Sequence, residues 1–312
     1  MIQTQSLMLF LFSPVSCMIV LMEQLLICMS LVVLGLCMGS FAGATVWRLR
    51  ARQLVEDKAA GEKVDSKELK QLSPLTESTI TSDRSRCLHC GHTLAWYDLM
   101  PLVSWMSTGG KCRYCAKKIG WFEPLMELGV AALFVSLYLL WPFEIHSVYG
   151  IAIFILWLVA GVLLAILFAY DLKWYLLPNY IVFPLIAVGA IVAILNVINA
   201  PDTIAALINI LFACITLSGI YLGLWLFSKG QWIGFGDVKL GLGLALLLSD
   251  WKLAFIALFA ANFIGCLIVI PGMIAKKIDR KTRVPFGPLL IAGAILAMLI
   301  GRFIIDIYFI GL

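Results

Sequence analysis

Long apolar stretches broken by short polar punctuation run through most of this chain. Crossing about 30 Å of hydrocarbon takes roughly 20 apolar residues in a row. Runs of that kind predict helices near 16–46, 124–142, 148–170, 178–199, 203–227, 252–275 and 286–309. A shorter apolar run, Val238 to Leu248, reads as a partial span or as one arm of a tight hairpin with 252–275. Prolines fall at the span boundaries, among them Pro142, Pro178, Pro201, Pro271, Pro285 and Pro288, where helices start, stop or kink. The expected fold is an all-α polytopic membrane protein with about eight transmembrane helices.

One sizeable segment, 47–123, lacks this pattern and is expected to form a small soluble domain between helices 1 and 2. Its first part, Arg52 to Lys70, is rich in Ala, Glu, Lys and Leu and reads as a solvated helix or flexible arm. The organisation is therefore a lead-in and first membrane helix at 1–46, a loop domain at 47–123 and a membrane domain at 124–312.

Composition agrees, with 62% hydrophobic and 13% charged residues, against roughly 25% charged in soluble domains. Of the 23 Lys and Arg, 13 lie between Arg48 and Lys118 and five more between Lys276 and Arg283. The positive-inside rule places both segments in the cytoplasm. Both share one face only if the short run 238–248 also crosses, which makes eight crossings. Residues 1–47 carry no Lys or Arg and a single charge, Glu23, so this stretch reads as a retained helix rather than a cleaved signal peptide. The expected partner is the lipid bilayer, and no nucleic acid is expected.

The loop domain holds two C-x2-C pairs, Cys87/Cys90 and Cys112/Cys115, separated by 21 residues. Each pair turns two thiolates to one side of a tight turn, and two such knuckles complete a tetrahedral four-sulfur site for structural zinc. A redox pair, or His89 or His92 in place of one thiolate, are the alternatives. The other five cysteines, Cys17, Cys28, Cys37, Cys214 and Cys266, lie in apolar spans and read as small hydrophobes.

Two aspartates stand where apolar spans end or begin. Asp171 follows the run Ile151 to Tyr170, and Asp237 sits in Gly234-Phe235-Gly236-Asp237 just before Val238. An ionisable group at such a boundary is costly and marks a functional site by default. In the eight-crossing topology both face the cytoplasm and can meet. Two carboxylates in a low-dielectric pocket share one proton, so one activates water while the other polarises a carbonyl, which points to peptide hydrolysis without a catalytic metal. Competing readings are helix capping by Asp237, ion pairs of the two aspartates with Lys173 and Lys239, or a proton relay in a transporter or scaffold.

The ordered motifs resemble the bacterial type IV prepilin leader peptidases, the bifunctional family that also serves type II secretion. Gly39-Ser40-Phe41 with Arg48 resembles the GSF…R signature, with Gly43 where Asn is usual. The four cysteines match the paired-cysteine loop, and Ile119 to Glu127 resembles the approach to the second helix. Asp171 with Leu177-Pro178-Asn179, the G-x-G-D at Asp237, and Pro285-Phe286-Gly287-Pro288 match the remaining signatures. This resemblance implies that Asp171 and Asp237 are the catalytic pair of an inner-membrane aspartyl endopeptidase with its site on the cytoplasmic side. It implies a type IV prepilin or type II secretion pseudopilin as substrate, cut after Gly. It also implies N-methylation of the new terminus with S-adenosylmethionine, for which Arg48 and Glu127 are candidate contacts. Presenilin-type proteases share G-x-G-D, but the cysteine loop and the GSF signature set this chain apart from them.

Overall fold

The computed structural model describes residues 14–76, 84–143, 145, 147–276 and 284–309, with the side chains of 14–17, 20, 308 and 309 excepted. The lead-in Met1 to Ser13 and most of the basic stretch expected at 276–283 lie outside the described residues, so those two expectations have no structural counterpart here.

The helices are α1 (Pro14–Ala59), α2 (Ser66–Leu72), the short α3 (Val103–Ser107), α4 (Phe122–Leu139), α5 (Val148–Trp174) and α6 (Asn179–Ile198). They continue with α7 (Thr203–Ser228), α8 (Phe235–Leu248), α9 (Trp251–Ile274) and α10 (Gly287–Phe309). Among the described residues there is no strand, only isolated bridges of Arg86 with Thr93 and Lys111 with Lys118. Seven helices are long and apolar enough to cross a membrane: α1, α4, α5, α6, α7, α9 and α10. Together they make this a multi-pass membrane protein.

The eighth element of the bundle, α8, has 14 residues. At 1.5 Å per residue it is about 21 Å long, short of a full hydrocarbon core. It is also among the most enclosed helices. Val238, Leu240, Gly241, Gly243, Leu244, Ala245, Leu247 and Leu248 are all buried, against α6, α7, α9 and α10. A helix apolar on every side belongs inside a bundle. Its close fit against α7 depends on Gly241, where a Cβ would lie 2.1 Å from the Leu217 carbonyl oxygen. At that contact α7 widens into one π-helical turn, Ile215–Gly219, and Ser218 Oγ donates to the Val238 carbonyl at 2.9 Å.

The ends of the helices alternate in a way that needs α8 as a traverse. Trp47 of α1, Phe122 of α4, Trp174 of α5, Asn179 of α6, Trp225 of α7, Phe235 of α8 and the start of α10 form linked contacts at one end of the bundle. Because α8 and α10 both start at this end, α8 must leave it and α9 must return. Ser249 and Asp250 make the turn between them, Ser249 with a left-handed φ of 52° and Asp250 capping α9 through Lys252 N at 2.7 Å.

The sequence pattern placed a membrane helix and then a separate solvated helix or flexible arm at the start of the chain. In the structure they are one rod, because α1 continues unbroken to Ala59 with no Gly or Pro after Gly43 to stop it. Beyond Trp47 the rod is clasped by α2. Ala51 and Leu54 pack on Leu72, and Arg50 pairs with Glu68 at 2.7 Å. Within the membrane part, α1 and α4 pack closely, since a Cβ on Gly35 or Gly39 would sit 2.5 Å from the Cα of Ala131 or Glu127. Small residues at such crossings let helix backbones approach.

Candidate active site and metal cluster

Asp171 is buried, 5% exposed, one turn before the end of α5. The helix stops because Tyr175 adopts a left-handed conformation, φ 57°, and its N–H closes on the Asp171 carbonyl. Residues 175–178 then carry the chain to α6, with Pro178 at the N-cap. Asp171 Oδ2 accepts a hydrogen bond from the Gly287 N–H at 3.1 Å, which ties the end of α5 to the start of α10. A Cβ on Gly287 would lie 2.7 Å from the same oxygen, so this position must stay bare for the carboxylate to sit where it does.

Asp237 occupies the third residue of α8, whose cap position is Gly234 and carries no side-chain cap. The capping role is taken elsewhere by Asp202 and Asp250, whose carboxylates accept N–H groups of α7 and α9. Asp237 instead stands near the end of α5 that carries Asp171, because its neighbour Gly236 packs on Leu177 of the segment that follows that helix. Leu177 packs on both glycines, 3.2 Å from a Cβ built on Gly236 and 3.4 Å from one on Gly287. Two carboxylates thus converge where three glycines, Gly234, Gly236 and Gly287, leave main chain without side chains.

Neither neighbouring lysine pairs with an aspartate among the described residues. Lys239 Nζ donates to Asn179 Oδ1. Lys173 Nζ lies 3.7 Å from the Trp47 ring centroid and 3.8 Å from that of Phe122, a cation over two aromatic faces. The periodicity of the chain gave no sign of this cage, because its members come from α1, α4 and α5.

The four cysteine sulfurs, Cys87, Cys90, Cys112 and Cys115, all lie within 4.8 Å of one another. Four thiolates around zinc at about 2.3 Å stand roughly 3.8 Å apart by tetrahedral geometry, and Cys87 Sγ to Cys115 Sγ is 4.0 Å. The donor set therefore fits a closed four-sulfur metal site. The two knuckles repeat one backbone pattern, in which Cys87 N–H bonds the His92 carbonyl and Cys112 N–H bonds the Lys117 carbonyl. Each turns on a left-handed residue, Gly91 or Ala116. His89 points its Nε2 at the Lys118 carbonyl and His92 stacks on Tyr114, so neither joins the cluster. Cys37 and Cys266 are exposed on helix faces rather than buried, where lipid can cover an apolar thiol.

Asp98 braces the second knuckle, with Arg113 Nε at 3.0 Å and Tyr114 hydroxyl at 2.9 Å. Burial pushes its carboxyl up, but these two donors and the Ala95 N–H outweigh it and hold it below the usual range. Between the knuckles, α1 and α4 lies a cavity of about 310 Å³, and both Arg48 and Glu127 line it. Glu127 is already engaged, its Oε2 accepting the Leu102 N–H at 2.8 Å. Glu123, one turn earlier, accepts Trp47 Nε1 at 3.1 Å through one oxygen only. Sequence reasoning did not single it out.

A multi-pass helical bundle with two convergent carboxylates and a four-cysteine loop after its first helix defines the class, and comparison with known proteins places the chain within it. The profile described as bacterial peptidase A24 N-terminal domain matches residues 33–141, and that described as type IV leader peptidase family matches residues 158–270. A relative from Burkholderia pseudomallei named prepilin leader peptidase/N-methyltransferase is 30% identical over 86% of this chain and 84% of its own length. One of the same name from Pseudomonas aeruginosa is 29% identical over 86% of this chain and 89% of its own. A type 4 prepilin-like proteins leader peptide-processing enzyme from Escherichia coli is also 29% identical, over 84% and 89%. The chain belongs to the type IV leader peptidase family. No solved structure matches it.

Proposed function

We propose that the protein removes the leader of a type IV prepilin or type II secretion pseudopilin at Asp171 and Asp237, on the cytoplasmic side of a bacterial inner membrane, and then methylates the new N-terminus. The observation that carries this reading is the meeting of Asp171, Asp237 and the Gly287 N–H in a glycine-walled recess at one end of the bundle. The names of the relatives supply the substrate class.

Hydrolysis there needs no metal. The two carboxylates hold one proton between them. The ionised one takes a proton from water as the water oxygen bonds to the scissile carbonyl carbon, and the protonated one gives its proton to the carbonyl oxygen. Collapse of the tetrahedral intermediate breaks the C–N bond, and the departing nitrogen takes a proton back from the dyad. Gly287 holds one carboxylate in place by a backbone hydrogen bond, so its orientation does not depend on a mobile side chain.

A substrate that begins its own membrane helix just past the cut presents the scissile bond at this depth. The apolar rim suits it, since Leu172, Tyr175, Leu176, Trp232 and Phe235 are exposed there. Cys87, Cys90, Cys112 and Cys115 would hold zinc, which closes the loop domain and leaves no open ligand position. When bound, S-adenosylmethionine would supply an electrophilic methyl group to the freed amine, with Arg48 and Glu127 of the loop-domain cavity as candidate contacts. Reconstituted protein with a synthetic prepilin tests the cleavage half. A leader-sized mass loss that vanishes in Asp171→Asn supports it, and undiminished cleavage by that variant removes Asp171 from the site.

A further inference from the structure

Two residues that line the cavity in the loop domain each carry a buried atom left unsatisfied among the described residues. Glu123 Oε2 and Arg86 Nε are shut off from solvent and have no hydrogen-bond partner among the described residues, and both residues line the same cavity of about 310 Å³. A buried polar atom without a partner costs about 1–3 kcal/mol, so such atoms ask for an explanation, and an absent ligand is one. The two are of opposite kind. One is a carboxylate oxygen that accepts, the other a guanidinium N–H that donates.

A basic peptide side chain satisfies Glu123 but is repelled by Arg86, and a phosphate does the reverse. A molecule carrying both a cationic centre and a carboxylate satisfies both at once. The rest of the lining mixes apolar and aromatic side chains, Trp105, Leu94, Leu99 and Ile119 among them, which suit a planar base, with further charges of both signs, Arg48 and Glu127 among them, which suit a zwitterion. The volume falls at the lower end of the roughly 300–1,000 Å³ typical of small-molecule sites.

Position adds a second, independent argument. An adjoining cavity of about 340 Å³ shares Trp47 and Gln71 with the first and is walled by Lys173 and Trp174. Those residues follow Asp171 by two and three positions on the same helix. The two cavities therefore lead from the cysteine knuckles to the end of α5 that carries the candidate carboxylate.

We propose that the cavity between Trp47, Arg86 and Glu123 is the methyl-donor site, in which Arg86 holds the carboxylate of S-adenosylmethionine and Glu123 faces its cationic end. The assignment rests on the methyl-transfer half of the proposed function. It also gives the cysteine cluster a purpose beyond its own fold, because Arg86 directly precedes Cys87 and is placed by that knuckle.

The test is direct binding of labelled S-adenosylmethionine to the purified, metal-loaded protein in lipid nanodiscs. Glu123→Gln and Arg86→Gln should each weaken the Kd by roughly 10- to 100-fold, the worth of a charge-assisted hydrogen bond, with zinc content and thermal transition retained. Ultraviolet irradiation of the wild-type complex should place the label on peptides containing Trp47 or Trp105, a readout that needs no variant to fold. Unchanged affinity in both variants, label confined to other peptides, or no binding by the wild-type protein would each overturn the site. Neither readout passes through peptide cleavage. A protein that binds the donor here and cuts no prepilin contradicts the peptidase reading alone, and one that cuts but binds the donor elsewhere contradicts this site alone.

Discussion

The carboxylate recess and the cysteine domain meet at Trp47 and Lys173, yet different forces hold them. The recess is built by close helix packing: bare glycines, a π-turn in α7 and a backbone hydrogen bond place its groups, and no ion pair among the described residues takes part. The cysteine domain has almost no regular structure and one small apolar cluster, Ala51, Leu54 and Leu72, at its base. Its knuckles are held by short turns, polar bridges and four convergent thiolates. The first region should thus be indifferent to metal and sensitive to added methyl groups, and the second the reverse.

The largest effect belongs to the carboxylates. Asp237→Asn should cut leader removal by roughly 10²–10⁴-fold, the usual worth of positioned acid–base catalysis, with membrane insertion intact by membrane fractionation. Next comes Gly287→Ala. Its new Cβ, 2.7 Å from Asp171 Oδ2, must displace the carboxylate, and a misplacement near 1 Å costs about 10²-fold. The thermal transition should barely move, and unaltered cleavage would show that the Gly287 contact does not set the geometry. Gly241→Ala sharpens the point, because there the new Cβ meets the Leu217 backbone. Overpacking of this kind costs about 1–3 kcal/mol, so this variant should lose stability in detergent melts together with activity.

The cysteine domain should respond in the opposite sense. Cys87→Ser with Cys90→Ser, or a strong chelator, should release metal and open residues 84–120 to protease, since closed four-sulfur sites supply their domain's folding energy. Methyl transfer should fail while leader cleavage largely persists. Equal loss of both would mean that the two regions are not separable.

The smallest effect is at the clasp between α1 and α2. The Arg50 hydrogen bond holds Glu68 below the usual carboxylate range. With a folded-state value below the unfolded one, its contribution is complete above an unfolded pKa of about 4.3 and is lost as pH falls through the folded value. For a partly buried pair that water still reaches, 14% and 25% exposed, this amounts to about 1 kcal/mol. Melts of wild type and Glu68→Gln should differ slightly at pH 7 and converge on acidification.

The helices were legible because each is written as a continuous apolar run, and the four-cysteine cluster because a C-x2-C knuckle is a local motif. Asp171 and Asp237 stood out because charge at a span boundary is rare. What the sequence hid is whatever several helices assemble together. The Lys173 cage draws on Trp47 and Phe122, more than 50 residues away in the chain. Glu123 gains its meaning only from its bond to Trp47 and from the cavity that its side chain helps to line. The continuity of α1 through Ala59 was masked by the change from apolar to charged residues, which marks the edge of the membrane and not the end of a helix.

One reaction puts the division of labour to the most direct test. Asp237→Asn protein in nanodiscs would be offered labelled S-adenosylmethionine with two substrates in separate tubes, an intact synthetic prepilin and the same pilin already cut after its Gly. The account predicts no leader removal and no methylation of the intact substrate, but methylation of the pre-cut one near the wild-type rate. Leader removal by this variant would contradict the account at its centre.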